Sequence, residues 1–244
     1  MLEVRNLSKR FGGLKAMSEV SFTVARGEFV GVIGPNGAGK TTLLNLITGY
    51  LQPTGGEILF DDAPIHTSRP YQICHRGIGR TFQVVRPFAE MSVLDNVTVG
   101  ALFSSRHRTS VEEGRLAAQR PLELTGLWRK RDYPASALSI GEKKKLELAR
   151  ALATDPRLLL LDEVLAGLTR AEVDEMVEVL RRINQAGVTI VMIEHLVHVI
   201  MNLCQRVVVL NFGQLVFVGE TGEAMTHPEV VSSYLGSPLD EALT

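Results

Sequence analysis

Long apolar runs are missing from this chain. The longest, such as residues 188–193 and 207–210, fall well short of the roughly 20 residues that a membrane-spanning helix needs. The N-terminus has no signal-peptide pattern. Work at a membrane is therefore expected to proceed by docking on something that spans it. Cysteine is scarce too: Cys74 and Cys204 stand far apart without CxxC or His-rich spacing. That suits a reducing cytosol with neither disulfide nor zinc, and both read as free thiols, Cys204 in the core. Net charge is almost nil, with 26 Lys and Arg against 27 Asp and Glu. No field or lysine-rich tail favours nucleic acid. His66, His75, His107, His198 and His227 share no metal spacing. What remains is a chain of 244 residues, enough for one substantial core with a subdomain inserted in it.

The strongest positive signal is Gly34-Pro35-Asn36-Gly37-Ala38-Gly39-Lys40-Thr41-Thr42, which fits the phosphate-loop pattern G-x-x-x-x-G-K-[ST]. Residues 28–33 form a β-branched run suited to a buried strand before it. Leu43, Leu44, Leu46 and Ile47 recur at helical spacing after it, until Gly49. Glycines in such a loop let successive N–H groups point inward at the β- and γ-phosphates of ATP, aided by the helix dipole. Lys40 adds a point charge, and the Thr41 hydroxyl can ligate Mg²⁺.

Residues 2–7, 20–24 and 58–60 read as short strands, and the alternation of Val20, Phe22 and Val24 predicts an antiparallel sheet with one wet face. Phe11, in an expected loop upstream of the phosphate loop, either stacks on adenine or packs on its own sheet. Residues 69–86 are basic and turn-rich, and Gln83 by itself reads as a surface amide. Pro87, Phe88 and Met91 form an apolar patch, after which a helical region runs to about Ala153. The charges at 129–132 read as a solvated face, and the triplet Lys143-Lys144-Lys145 as a solubility feature. Ser139 and Gly141 precede a helix with Leu146, Ala149 and Leu152 on one side, an anion-ready N-terminus or an ordinary capped helix.

The leucine run before Asp162 and Glu163 implies a central parallel strand, at whose carboxyl end ligands gather. Asp162 would reach Mg²⁺ and Glu163 would act on an attacking water. A second buried strand, 188–193, ends at Glu194-His195, where His195 could hydrogen-bond the γ-phosphate. Residues 207–218 read as a hairpin and the tail as one helix with a loose end.

Taken in order, the phosphate loop, Gln83, the Leu138-Ser139-Ile140-Gly141-Glu142 stretch, the Asp162-Glu163 strand end and His195 resemble the ATP-binding subunit of an ATP-binding-cassette (ABC) transporter. The resemblance covers essentially the whole chain. It implies an α/β fold: a P-loop NTPase (RecA-like) core with a mainly parallel sheet, an N-terminal antiparallel β subdomain and an inserted α-helical subdomain. Within a single domain, residues 1–86 and 155–220 would form the core, 87–154 the helical subdomain and 221–244 a C-terminal helix and tail. By the same likeness Phe11 stacks on adenine, Gln83 ligates Mg²⁺ and links nucleotide to membrane subunit, Glu163 is the general base and His195 the switch histidine. Ser139, Gly141 and Glu142 would grip the ATP held by a second ATPase subunit, identical or homologous. The implied partners are integral membrane permease subunits and, indirectly, an extracytoplasmic solute-binding protein; the implied place is peripheral, on the cytoplasmic face of the inner membrane.

Arg80-Thr81-Phe82-Gln83, the end of the 188–193 strand and Ser233-Tyr234-Leu235-Gly236 resemble the branched-chain amino acid importers most. A lipid or lipopolysaccharide exporter subunit, or a soluble cassette protein, are the competing readings. The chain departs from the commonest family pattern at Val164 (usually Pro), Ile140 (Gly), Glu142 (Gln) and Thr169 (Asp). The carboxylate pair and the signature Ser and Gly are kept, so hydrolysis is expected; Thr169 bears on communication between two sites.

Overall fold

The computed structural model describes residues 1–104 and 110–232, so His107 and the 233–236 stretch lie outside the described residues. In chain order the elements are β1 (Leu2–Phe11), β2 (Leu14–Val24), β3 (Phe29–Ile33), α1 (Lys40–Ile47), β4 (Gly55–Phe60), β5 (Ala63–Pro64), α2 (Pro70–His75) and β6 (Ile78–Arg80). Then come α3 (Val93–Leu102), α4 (Val111–Leu124), α5 (Ile140–Ala153), β7 (Leu158–Asp162), α6 (Arg170–Gln185), β8 (Thr189–Ile193) and α7 (Val197–Leu203). The chain closes with β9 (Arg206–Asn211), β10 (Gln214–Glu220), α8 (Thr221–Ala224) and α9 (Pro228–Val230). Two compact units result: Met1–Arg69 with the described residues from Val191, and Pro70–Ile190.

In the first unit, a four-stranded antiparallel sheet has the order β2-β1-β4-β5. Leu2 faces Val24, Val4 faces Phe22 and Leu7 faces Val20. All six are buried while Arg5, Ser21 and Thr23 between them are exposed, so the alternation in sequence does set one wet face. The pair runs on through bulges to Phe11 and Leu14, placing Phe11 at the end of a strand rather than in a loop. β3, buried throughout, pairs parallel with β9, and β9 pairs antiparallel with β10. Gln205 accepts the Phe29 N–H at 2.7 Å, and Arg206 meets Glu28 at 3.0 Å, which fixes where those strands begin. Cys204 is buried there, and burial raises its thiol pKa. The single C-terminal helix expected from sequence is two short pieces, α8 and α9, because His227 precedes a proline and takes an extended conformation.

In the second unit, β6 pairs parallel with β7, Ile78 to Leu158 and Arg80 to Leu160. All five residues of β7 are buried, as a strand covered on both faces requires. The helical region is three helices around one apolar cluster that includes Val93, Val97, Leu122, Leu127, Leu138 and Leu146. Asn96, fully buried, organises the turn that precedes α3: its Oδ1 accepts the Phe88 N–H at 2.9 Å, and its Nδ2 donates to the carbonyls of Phe88 and Ser92 at 3.0 Å. Asn96→Ala should cost about 2 to 3 kcal/mol, because those backbone groups lose buried partners. A thermal unfolding midpoint equal to wild type would show that the turn is held by other groups.

Candidate functional site

The phosphate loop lies in the first unit, between β3 and α1, the strand–loop–helix context its motif requires. Gly34, Gly37 and Gly39 have φ of +147°, +80° and +101°. At Gly34 space as well as φ demands glycine, since a Cβ there would lie 2.0 Å from the Leu210 carbonyl oxygen of β9. Lys40 is buried, and its Nζ donates to the carbonyls of Gly34 at 2.7 Å and Pro35 at 2.9 Å. The ammonium therefore folds back over the loop and holds it in shape. Thr41 is exposed at the first turn of α1, whose N-cap Gly39 supplies no side-chain cap. Ala38 accepts the Gly213 N–H at 3.0 Å, tying the loop to the β9–β10 turn. Phe11 is half-exposed with Lys9 Nζ 5.1 Å from its ring centroid, so it does not pack away into its own sheet. β8 ends at Ile193; beyond it Glu194 is buried and His195 exposed.

The second unit holds six of the expected residues, in two groups. At the end of β7, Asp162 pairs with Arg80 at 2.9 Å, both side chains nearly sealed from solvent. Glu163, held at φ +51°, accepts at Oε2 from Gln83 Nε2 at 2.7 Å. The amide read as a surface group is thus bonded to the carboxylate expected to act as base. Lys144 Nζ donates to the Glu163 carbonyl at 3.3 Å, and the Phe82 N–H donates to Glu147 at 2.6 Å. Burial raises the Glu147 pKa, with the Phe82 N–H, Arg150 and Lys144 opposing it incompletely.

The second group is a pocket of about 250 Å³ whose lining includes Ser139, Gly141, Glu142, Lys145, Glu172 and Glu175. Two helix N-termini end here. Ser139 caps α5 in a capping box with Glu142, and Thr169 caps α6 in a capping box with Glu172. Thr and Asp both cap well, so Thr169 keeps the local job an aspartate would do. Burial pushes the Glu142 carboxyl up, but the Lys130 ammonium, the Ser139 N–H and Lys145 outweigh it, leaving a net lowered pKa. Two sequence expectations fail here. Lys144 and Lys145 are buried, Lys145 against Glu175, instead of serving solubility. The charges at 129–132 are not simply solvated, since Lys130 pairs with Glu142 and Arg131 lies 4.7 Å over Trp128. Only a partner distant in sequence distinguishes such lysines from surface ones. Arg80, Lys144 and Glu147 were missed for the same reason.

Among the described residues no helix is long and apolar enough to cross a membrane. The family model described as "ABC transporter" matches residues 17–166. The chain is 37% identical to the high-affinity branched-chain amino acid transport ATP-binding protein LivG of Escherichia coli K12, over 97% of this chain and 98% of that protein. It is 36% identical to the corresponding protein BraF of Pseudomonas aeruginosa, again over 97% and 98%. Among solved structures it superposes on the ADP conformation of an ATP-binding cassette of an ABC transporter with a TM-score of 0.86, at 31% identity, covering 97% of this chain and 99% of that one.

Proposed function

This chain belongs to the ABC transporter family, and we propose that it is the ATP-hydrolysing subunit that powers import of branched-chain amino acids. The observation that carries the reading is the phosphate loop, with its three left-handed glycines and buried Lys40, in a chain alike over 97% of its length to a branched-chain amino acid transport ATP-binding protein. In this reading Gly34 to Thr42 cradle the phosphates and Phe11 stacks on adenine. Glu163 takes a proton from the attacking water, and Gln83 and His195 orient water and γ-phosphate. Thr41, Asp162 and Gln83 offer hard oxygen donors that suit Mg²⁺. When bound, the ion would neutralise charge on the β- and γ-phosphate oxygens. Arg80, 2.9 Å from the Asp162 carboxylate, holds that nearly sealed side chain in one place.

Ser139, Gly141 and Glu142, in a helical subdomain spanning 87–154, would bind ATP carried by a second ATPase subunit, so that two nucleotides are sandwiched head to tail. Closure then depends on the γ-phosphate, which the closed dimer contacts from both subunits. Phe82, Val84 and Phe88 are exposed apolar side chains that suit a groove for a permease helix. The chain would thus sit peripherally on the cytoplasmic face of the inner membrane.

Gentle extraction of the tagged protein from native membranes, followed by mass spectrometry, tests this. Two multi-spanning polypeptides and a second cassette protein are expected. A lipid-export assembly in their place would replace the amino acid reading. Ribosomal or DNA-associated proteins alone would end the transport reading.

A further inference from the structure

Three hydrogen bonds in the second unit close a ring around the expected base. Gln83 Nε2 donates to the Glu163 carboxylate at 2.7 Å, and Lys144 Nζ donates to the Glu163 carbonyl at 3.3 Å. Glu147, one turn of α5 beyond Lys144, accepts the N–H of Phe82, the residue next to Gln83, at 2.6 Å. The ring therefore runs from Gln83 to Glu163, Lys144, Glu147, Phe82 and back. A further turn along α5, Arg150 Nη1 donates to the Arg86 carbonyl at 2.9 Å, and its guanidinium lies 4.8 Å over the Phe88 ring.

Lys144, Glu147 and Arg150 are spaced by three residues and form one slanting stripe on the helix that Ser139 caps. That stripe holds, in order, the backbone of Glu163, the turn carrying Gln83 and the exposed apolar segment at Phe88. Glu147 is partly buried, and its raised pKa reports the desolvation it bears at this place. The short bond from Phe82 is a charge-assisted one to a backbone donor, the kind that fixes a turn.

We propose that Glu147 is a positioning residue of the ATPase: by holding the Phe82 N–H it sets Gln83 against Glu163, and through α5 and Arg150 it ties that placement to the segment at Arg86 and Phe88. The proposal rests on Glu163 being the base, as inferred above. A carboxylate that only stabilised the turn would lower stability without acting through Gln83.

A double-mutant cycle on the full chain separates the two roles. Turnover and KM for ATP are measured for Glu147→Ala, Glu147→Leu and Glu147→Gln, each in wild-type and Gln83→Ala backgrounds. Glu147→Ala should lower kcat about tenfold with KM within about twofold, since misplacement of a reacting group is felt in turnover. Glu147→Leu keeps the buried volume without the acceptor; it should match Glu147→Ala and decides the question if the alanine variant does not fold. Glu147→Gln retains an acceptor oxygen and should recover turnover to within about twofold of wild type. In the Gln83→Ala background Glu147→Ala should lower kcat no further. Equal losses in both backgrounds, an effect confined to KM, or no rescue by glutamine would each overturn the proposal while Glu163→Gln remains inactive. A fully active Glu163→Gln would instead overturn the base assignment, and this proposal with it.

Discussion

Glu163→Gln should bind ATP and fail to hydrolyse it, with kcat lower by about 10²- to 10⁴-fold, the usual contribution of a positioned general base. The substitution is nearly isosteric and keeps an oxygen that can accept the Gln83 Nε2–H, now made to Glu163 at 2.7 Å. The carbonyl to which Lys144 donates is backbone and is untouched. What is lost is the proton acceptor, so ATP affinity should stay within about threefold of wild type and turnover alone should fall. A protein that closes on ATP and cannot open by hydrolysis accumulates closed. ATP should therefore shift the variant from monomer to dimer in light scattering, where wild type returns to monomer as ATP is consumed. Turnover at the wild-type rate would remove Glu163 from the role of base. Slow turnover without an ATP-dependent dimer would keep the base and remove the sandwich.

The parts of this molecule legible in its sequence are those whose cause lies within a few residues. The phosphate loop is one, because its glycines and Lys40 follow one another and the flanking strand and helix have their own periodicities. The Ser139 cap is another: its partner Glu142 is three residues on, which is the spacing of a capping box. The run of leucines into Asp162 is a third, since burial on both faces leaves no alternation to read. What was not legible joins residues far apart. Arg80 and Asp162 are 82 positions apart, Gln83 and Glu163 80, and Phe82 and Glu147 65. Nothing in the spacing of a lone glutamine says that it bonds a glutamate in a different element. Lys144 and Lys145 stand in a charged triplet that by composition belongs on a surface. Their burial is set by the packing of α5 and by Glu175 on α6, which composition does not encode. These three pieces of the site thus declared themselves by local pattern, and the connections that give them their electrostatics came from the fold.

Gly34→Ala is expected to be the most damaging single-atom addition in the phosphate loop, although the motif alone makes its glycines look alike. Gly37 has φ +80° and nothing within 4 Å of the place a Cβ would take. Alanine there bears only the cost of a left-handed backbone, about 1 to 2 kcal/mol. Gly34 has φ +147° and would set its Cβ 2.0 Å from the carbonyl oxygen of Leu210 and 3.1 Å from the carbon of the same group. That carbonyl belongs to β9, which is locked in parallel register with β3 from Val30 to Ile33, so the strand cannot step aside without breaking the ladder that carries the loop. A rotating side chain could yield; a backbone between two paired strands cannot. The result should be a loss of more than about 4 kcal/mol, in the range that marks a clash with fixed structure, while Gly37→Ala stays folded. For Gly34→Ala protein that does fold, ATP affinity should fall more than about 100-fold, because the loop's N–H groups would no longer converge. Thermal unfolding and nucleotide titration of the two variants side by side would check this. If Gly34→Ala melted and bound ATP like Gly37→Ala, the approach of Leu210 would not be what fixes this loop. The first glycine of the motif would then be present only for its backbone freedom.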